Sequence, residues 1–213
     1  NSTGSRVMNS HSPERYFLEA LFSCLNSSGI RYAVMRNYAT LPYSAGGSDL
    51  DILVSDHADD AVKNCLYEVI EQVGAVKIGI ARTVGFFKVY VYGKPNQRHG
   101  QWWGLRVDVN VGLAFKGSPL VGNNLLLATE RHNKIFVLPI RIANILGVLK
   151  EVLQNNRLPL RYLGEAKEAV MNDWSTIRLT LEPMGPGAIE QFRELIVSAG
   201  TDVDISSKCH RLR

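Results

Sequence analysis

The stretch 76–111 alternates apolar and polar residues with the two-residue period of half-buried β-strands. A break at Gly93 to Asn96 carries turn-forming residues and separates one strand from the next. The aliphatic run Leu50 to Val54 predicts a further strand, and a short extended piece is expected at Tyr32 to Met35. The first half of the chain is therefore predicted to form a small sheet.

Other segments repeat apolar residues every three to four positions, which is the period of an amphipathic helix. Ser12-Pro13-Glu14 is a typical helix start, with a capping serine before the proline, and Gly29 is a typical helix end. A second helix is predicted from about Ala58 to Val73. After Pro119 the pattern is mostly helical, and helices are predicted at Ile140 to Leu153, Tyr162 to Met171 and Ile189 to Ser198.

This order of elements predicts an α+β fold in which a small mixed sheet is followed by a C-terminal helical subdomain. We divide the chain into a core at 12–120 and a helical subdomain at 121–205. Residues 1–11 are polar and are interpreted as a tag or disordered terminus. Residues 206–213 form a basic tail, which is either a solvated end or the start of a further domain.

The composition argues against some classes of protein and assigns the chain to no particular one. Of 213 residues, 46% are hydrophobic and 21% are charged, as in ordinary soluble globular proteins, and no apolar run approaches the roughly 20 residues of a membrane span. The formal charge of +4 is mild, and no dense basic stripe with interleaved aromatic residues indicates nucleic-acid binding.

The cysteines are three in number, Cys24, Cys65 and Cys209, and none forms a CxxC pair. An odd, widely spaced set argues against a disulfide framework and against a structural zinc site. We therefore expect Cys24 and Cys65 to be buried thiols on their helices, in a protein of the reducing cytoplasm.

The most informative stretch is Gly47-Ser48-Asp49-Leu50-Asp51-Ile52-Leu53-Val54. Side chains alternate along a strand, so Asp49 and Asp51 are expected on one face while Leu50 and Ile52 point to the core. Two neighbouring carboxylates repel each other unless a cation neutralises them. The pair therefore indicates a metal site, although acids on an exposed strand face also occur as plain solubilising charge.

Asp108 is the candidate for a third ligand, because Val107 and Val109 would face the core and turn it to the opposite side. Hard carboxylate oxygens suit Mg²⁺ or Mn²⁺, which also bind substrate phosphates. If the two strands are neighbours, Asp49, Asp51 and Asp108 meet and could support an in-line phosphoryl displacement. Asp108 would then activate the attacking group.

The segment Gly47 to Val54 resembles the Ser-Asp-hydrophobic-Asp signature of the nucleotidyltransferase superfamily, whose fold is shared with DNA polymerase β and the minimal nucleotidyltransferases. Arg106-Val107-Asp108-Val109 is similar to the third acidic strand of that superfamily. The stretches 32–42 and 112–117 are similar to a bacterial subgroup that is often encoded with surface-polysaccharide genes. The resemblance implies a nucleotidyltransferase core with Asp49, Asp51 and Asp108 as catalytic and metal-binding residues.

One position departs from that signature. The superfamily usually carries Gly-Ser or Gly-Gly at the end of the first strand, where it binds the triphosphate, and this chain has Met35-Arg36-Asn37. Arg36 could supply a bidentate phosphate fork in its place, or nucleotide binding is altered or lost. Arg36, Asn37, Gly47, Ser48 and Lys88 are the candidate nucleotide-binding residues.

The leading functional expectation is a Mg²⁺-dependent nucleotidyltransferase. It would move a nucleoside monophosphate from an NTP to a hydroxyl or phosphate on a small molecule or sugar, which the resemblance connects with surface-polysaccharide metabolism. The alternative is a non-catalytic nucleotidyltransferase-like module that binds nucleotide or a partner enzyme, within a chain that also carries a further domain.

Overall fold

A seven-stranded mixed sheet with helices on both faces forms the centre of the computed structural model, which describes residues 12–55, 57–83, 85–93 and 102–199. The proposed terminal segments 1–11 and 206–213, and the last residues of 121–205, lie outside these ranges. The strands are β1 (Tyr32–Val34), β2 (Leu50–Val54), β3 (Val76–Thr83), β4 (Phe86–Gly93), β5 (Trp103–Val111), β8 (Glu130–His132) and β9 (Ile135–Val137). Their order along the sheet is β3-β4-β5-β2-β1-β9-β8.

Two parallel pairings make this sheet mixed. Strand β2 runs parallel to β5, and β1 runs parallel to β9, whereas the other neighbours are antiparallel. A separate two-stranded ribbon follows β5 and consists of β6 (Ala114–Phe115) and β7 (Ser118–Pro119). The six α-helices within the described ranges are α1 (Pro13–Ser27), α2 (Asp59–Gln72), α3 (Ile140–Asn155), α4 (Leu160–Asn172), α5 (Trp174–Thr180) and α6 (Pro186–Ser198).

Most of the predicted elements are present. Helix α1 begins after Ser12, whose side chain accepts a hydrogen bond from the backbone N–H of Arg15, so the predicted cap is confirmed. Gly29 takes φ = 66°, the left-handed conformation that a glycine tolerates without steric cost. Strand β2 spans the predicted residues 50–54, and the helix predicted at 58–73 is α2.

The sheet separates two hydrophobic cores. On one face, aliphatic residues of β2, β4 and β5 pack against α1 and α2. On the other face, Ala33 and Leu53 pack with α3, α4, α5 and α6. The C-terminal helices therefore cover part of the sheet face to which Asp51 points, because Asp51 alternates with Leu50 and Ile52 of the first core.

Strands β8 and β9 and helix α5 differ from the sequence prediction. Strands β8 and β9 lie between 121 and 140, a region predicted as part of the helical subdomain, and β9 extends the sheet beside β1. These three-residue strands are too short to show a period of their own, and β1, which pairs with β9, lies about a hundred residues earlier. Helix α5 was also not predicted, because its seven residues span barely two turns.

The expectation that Cys24 and Cys65 are free thiols was wrong. Cys24 of α1 and Cys65 of α2 form a disulfide, with Cα atoms 5.8 Å apart. The two residues are separated by 41 positions, and only the side-by-side packing of α1 and α2 brings them together. Sequence spacing carries no information about such a contact. Cys209 lies outside the described residues.

Within the described ranges, no helix combines the length and the apolar character needed to cross a bilayer. The mixed sheet with surrounding helices agrees with the predicted mixture of strand and helix.

Candidate functional site

Asp51 of β2 and Asp108 of β5 are Cα partners on neighbouring parallel strands. Ile52 and Val107 point into the core beneath α1 and α2, so alternation turns both carboxylates to the other face. Only 3% of Asp51 and 5% of Asp108 is exposed. Two buried carboxylates thus lie side by side in the middle of the sheet, where an uncompensated charge is costly.

Asp49 belongs to the same cluster, because it precedes β2 by one residue and has the same parity as Asp51. Its carboxylate forms an ion pair with the guanidinium of Arg106. Asp49 is the most exposed of the three acids, with 37% of its side chain accessible. The structure therefore brings Asp49, Asp51 and Asp108 onto one face.

Arg36 follows β1 and reaches across to Asp51, near the beginning of β2. Its Nε lies 2.6 Å from Asp51 Oδ2, and its Nη1 donates to the hydroxyl of Tyr162 at 3.4 Å. Burial alone would lower the pKa of Arg36, but the charge and hydrogen bond of Asp51 raise it. Arg36 was predicted to hold phosphate, and in this structure it serves as the counter-ion of Asp51.

Arg106 has the corresponding position on β5, between two of the acids. Besides its pair with Asp49, its Nε lies 3.0 Å from Asp108 Oδ1. Both of these atoms are buried and neither makes a well-directed hydrogen bond. The contact is therefore an electrostatic pairing with poor hydrogen-bond geometry, which leaves Asp108 Oδ1 with unused acceptor capacity.

The pKa of the Asp108 carboxyl is raised above its usual value. Burial is the largest cause, Arg106 and Lys88 oppose it, and the neighbouring charges of Asp51 and Asp49 add to it. A raised pKa means a higher affinity for a proton, which is what a general base requires.

Asp49, Asp51 and Asp108 are the predicted ligands of a divalent metal. In the ranges that the structure describes, no three His, Cys, Asp or Glu side chains form a ready ligand group. Each of the three acids instead forms an ion pair with an arginine. The chemistry of the donors nevertheless fits Mg²⁺ or Mn²⁺, since all three are hard carboxylates and Asp108 Oδ1 has no directed partner. The assignment of Asp49, Asp51 and Asp108 as metal ligands stays a prediction.

A cavity of about 470 Å³ opens beside Asp108. It lies between β4, β5 and α3, and this volume is in the range of small-molecule sites. Three cationic side chains, Lys88, Arg106 and Lys150, line it together with Asp108. Its remaining wall is largely apolar, with Phe86 from β4, Leu113 and Phe115 from the segment after β5, and Leu146, Leu149 and Leu153 from α3.

Lys88 is placed in this cavity by strand pairing, because it is the antiparallel partner of Asp108 across β4 and β5. Its Nζ lies 5.4 Å from the centre of the Phe86 ring. The position is compatible with the predicted phosphate contact, which stays a prediction.

The other candidate nucleotide-binding residues lie elsewhere. Gly47 and Ser48 line a different cavity of about 370 Å³, together with Trp102 and Trp103. Asn37 is exposed and has φ = 56°, which asparagine tolerates better than most residues. The structure thus does not place Gly47 and Ser48 in the same cavity as Lys88 and Asp108.

The sequence analysis did not identify three residues of the site, namely Arg106, Lys150 and Tyr162. Arg106 carried a signal, because it shares the parity of Asp108 on an alternating strand and must share its face. Lys150 and Tyr162 carried none, since they belong to helices far along the chain that pack back onto the sheet. Gly147 leaves room for this packing, as a Cβ there would lie 3.0 Å from the Tyr162 ring.

Comparison with models of known families and with curated proteins finds no match for this chain. The class of site is accordingly defined by the geometry alone. It consists of buried acids in contact with arginines, beside a cationic cavity.

Proposed function

We propose that this chain transfers a nucleoside monophosphate from an NTP to a hydroxyl or phosphate acceptor, in the manner of the nucleotidyltransferases that its acidic motif resembles. One observation carries the proposal: Asp51 and Asp108 are paired on neighbouring parallel strands and on one face of the sheet, and Asp108 lines a cationic cavity. Carboxylates in this arrangement could hold the metal ions that stabilise the attacking and leaving oxygens of an in-line displacement at phosphorus.

The cavity supports the nucleotide part of the proposal. Lys88, Arg106 and Lys150 provide positive charge for a triphosphate, and a guanidinium can hold phosphate oxygens with two parallel hydrogen bonds. The leucine side chains of α3 and the Phe86 and Phe115 rings offer an apolar surface for a base. A site with both features suits a ligand that joins a polyanion to a flat ring.

In the proposed reaction, Asp108 takes the proton from the acceptor hydroxyl as general base. The acceptor oxygen forms a bond to the α-phosphorus, and the bond from that phosphorus to the bridging oxygen breaks. The products are the nucleotidylated acceptor and pyrophosphate. Asp108 suits this role by its position, because it is the acid of the cluster that lines the cavity.

Mg²⁺ held by Asp49, Asp51 and Asp108 would supply charge stabilisation for the reacting phosphate oxygens. Arg106 and Lys88 would orient the polyphosphate from the cavity side. Tyr162 would keep Arg36 in place through its hydroxyl, since Arg36 Nη1 donates to that oxygen.

A second candidate is a non-catalytic module that binds nucleotide. It is favoured by one observation, namely that Arg36 and Arg106 engage all three acids in ion pairs. In such a module the arginines would be permanent replacements for cations, and the cavity would still take a nucleotide.

The test combines binding and turnover. Calorimetry with ATP, GTP, CTP and UTP in Mg²⁺ measures binding, and pyrophosphate release in Mn²⁺ with sugars, sugar phosphates and glycerol phosphate as acceptors measures transfer. We expect binding of at least one NTP and release that falls by about 10²–10⁴-fold in Asp108→Asn, the usual contribution of a general base. Asp60→Asn, an exposed acid on α2, is the control with the same change of charge.

Binding without release, with every acceptor, would favour the non-catalytic module. If no NTP binds to the wild-type protein in Mg²⁺, both candidates fail.

A further inference from the structure

The arginines of the acid cluster are the feature that the proposed function leaves unexplained. Arg36 pairs with Asp51, and Arg106 pairs with both Asp49 and Asp108. Every acid that would hold a divalent metal is therefore already in contact with a guanidinium. The positive charge of each guanidinium would repel a divalent cation that binds the same carboxylate only a few ångströms away.

We propose that Arg36 and Arg106 are exchangeable counter-ions, which keep the acid cluster closed to divalent metal until the phosphates of the nucleotide draw them away. The inference rests on the proposed function and concerns the regulation of that same site. It implies that the same two side chains serve carboxylates in the free protein and phosphates in the complex, both of which match the guanidinium fork.

The contacts of Arg106 favour such an exchange. It lines the cavity in which the phosphates are proposed to lie, and 34% of its side chain is exposed. Its pairing with Asp108 lacks a well-directed hydrogen bond, so that little directional bonding is lost when it leaves. A guanidinium that already borders the cavity can turn to a phosphate by side-chain rotation.

Arg36 is more firmly placed but still accessible, with 26% of its side chain exposed. Apart from Asp51 it donates to the Tyr162 hydroxyl at 3.4 Å, which is a long hydrogen bond. Tyr162 belongs to α4, so this contact links the acid cluster to the helical part of the chain.

Energetic coupling between the two ligands follows from the exchange. If phosphate removes the arginines that oppose metal, metal in turn frees the arginines for phosphate, and the two effects are equal by linkage. The free protein should then bind metal weakly even though three carboxylates are in place, and the site should assemble only with both ligands.

The first experiment measures Mn²⁺ binding without nucleotide, from the electron paramagnetic resonance signal of free Mn²⁺. Compared with wild type, Arg106→Gln and Arg36→Gln are each expected to bind Mn²⁺ about tenfold more tightly or better, since each removes a charged competitor from a carboxylate. Lys88→Gln is the matched control, because it also removes one positive charge near the acids. Lys88 is the strand partner of Asp108, and its Nζ lies over the Phe86 ring. Its effect should stay below about fivefold, the size of one solvent-screened charge at short range.

The second experiment measures binding of inorganic pyrophosphate in EDTA, which tests the other half of the exchange. Asp49→Asn removes one ion-pair partner of Arg106 and should therefore tighten pyrophosphate binding. Asp60→Asn should leave pyrophosphate binding within about twofold of wild type, because Asp60 is exposed and belongs to α2, which packs on the opposite face of the sheet. Melting curves in EDTA verify that each variant is folded.

Tighter Mn²⁺ binding in either arginine variant, together with a small effect in Lys88→Gln, supports the exchange. Equal gains in all three variants would show only a net-charge effect and would overturn it. Unchanged Mn²⁺ binding in the arginine variants, with normal turnover by the wild type, would overturn the exchange and leave the proposed function standing. If no protein binds Mn²⁺ with or without NTP, the metal-dependent function and the exchange fail together.

Discussion

Arg36 Nε and Asp51 Oδ2 lie 2.6 Å apart, and this contact joins the segment after β1 to the beginning of β2. Asp51 is almost fully buried, so Arg36 is the partner that makes its charge tolerable. The residue that departs from the expected phosphate-binding signature is thus the direct counter-ion of a proposed metal ligand.

The first prediction concerns this pair. Asp51→Asn keeps the shape of the side chain but leaves Arg36 without its charged acceptor, so the free energy of unfolding should fall by about 1–3 kcal/mol. Urea unfolding in EDTA measures the loss. The double variant Arg36→Gln/Asp51→Asn should recover part of it, because the unpaired charge has gone. A single variant as stable as the wild type would show that the pair contributes no net stability.

The second prediction concerns Lys150 on α3, which sequence reasoning did not connect with the site. Lys150→Gln should weaken NTP binding by roughly tenfold or more if the lysine contacts a phosphate, since hydrogen bonds to charged groups carry about 1.5–3 kcal/mol. Calorimetry in Mg²⁺ measures the change. Lys77→Gln is the control, because Lys77 lies over the Tyr67 ring of α2, on the sheet face away from the acid cluster. Equal losses in both variants would point to net charge alone.

The third prediction concerns the disulfide between Cys24 and Cys65. Closing a loop over 41 residues stabilises the folded protein by about 3–4 kcal/mol, because the cross-link restricts the conformations open to the unfolded chain. Reduction of the wild type should therefore lower its melting temperature. The double variant Cys24→Ala/Cys65→Ala should melt near the reduced wild type and should not respond to reductant. A wild-type melting temperature that is the same with and without reductant would mean that the two cysteines are not disulfide-bonded in solution.

The fourth prediction is a pH dependence set by Tyr32, whose ring is buried between Phe22 and Phe136. Burial raises the pKa of Tyr32 to about 12, against smaller opposing effects from the Phe136 backbone, Arg131 and Asn26. In the unfolded chain the phenol ionises near pH 10, so the folded state favours the neutral form. The stability that the neutral Tyr32 phenol contributes is therefore fully present below about pH 10, and it is lost as the pH rises from about 10 to about 12.

The loss assigned to Tyr32 amounts to about 2–3 kcal/mol over that range. Tyr32→Phe cannot ionise, so its stability should fall less steeply with pH than that of the wild type, although other groups titrate in both proteins. Urea unfolding at intervals from pH 9 to pH 12 measures the two slopes. Parallel slopes would place the Tyr32 phenol in contact with water.

The sequence by itself determined the local elements and the side of the sheet on which the acids lie. Alternation fixed that Asp49 and Asp51 share a face, and the same rule places Arg106 with Asp108 on β5, although Arg106 was not read as a site residue. The start of α1 followed from Ser12 and Pro13, whose effects are confined to the first helical turn. These features depend on residues close together in the chain, so a local pattern is sufficient to reveal them.

Tertiary structure alone decided which distant elements meet. The parallel pairing of β2 with β5 set Asp51 opposite Asp108, and the return of α3 and α4 onto the sheet brought Lys150 to the cavity and Tyr162 to Arg36. The role of Arg36 as a counter-ion and the bond between Cys24 and Cys65 arose in the same way. Such contacts depend on how whole faces pack together, and the period of a single segment specifies which face is buried without specifying what covers it.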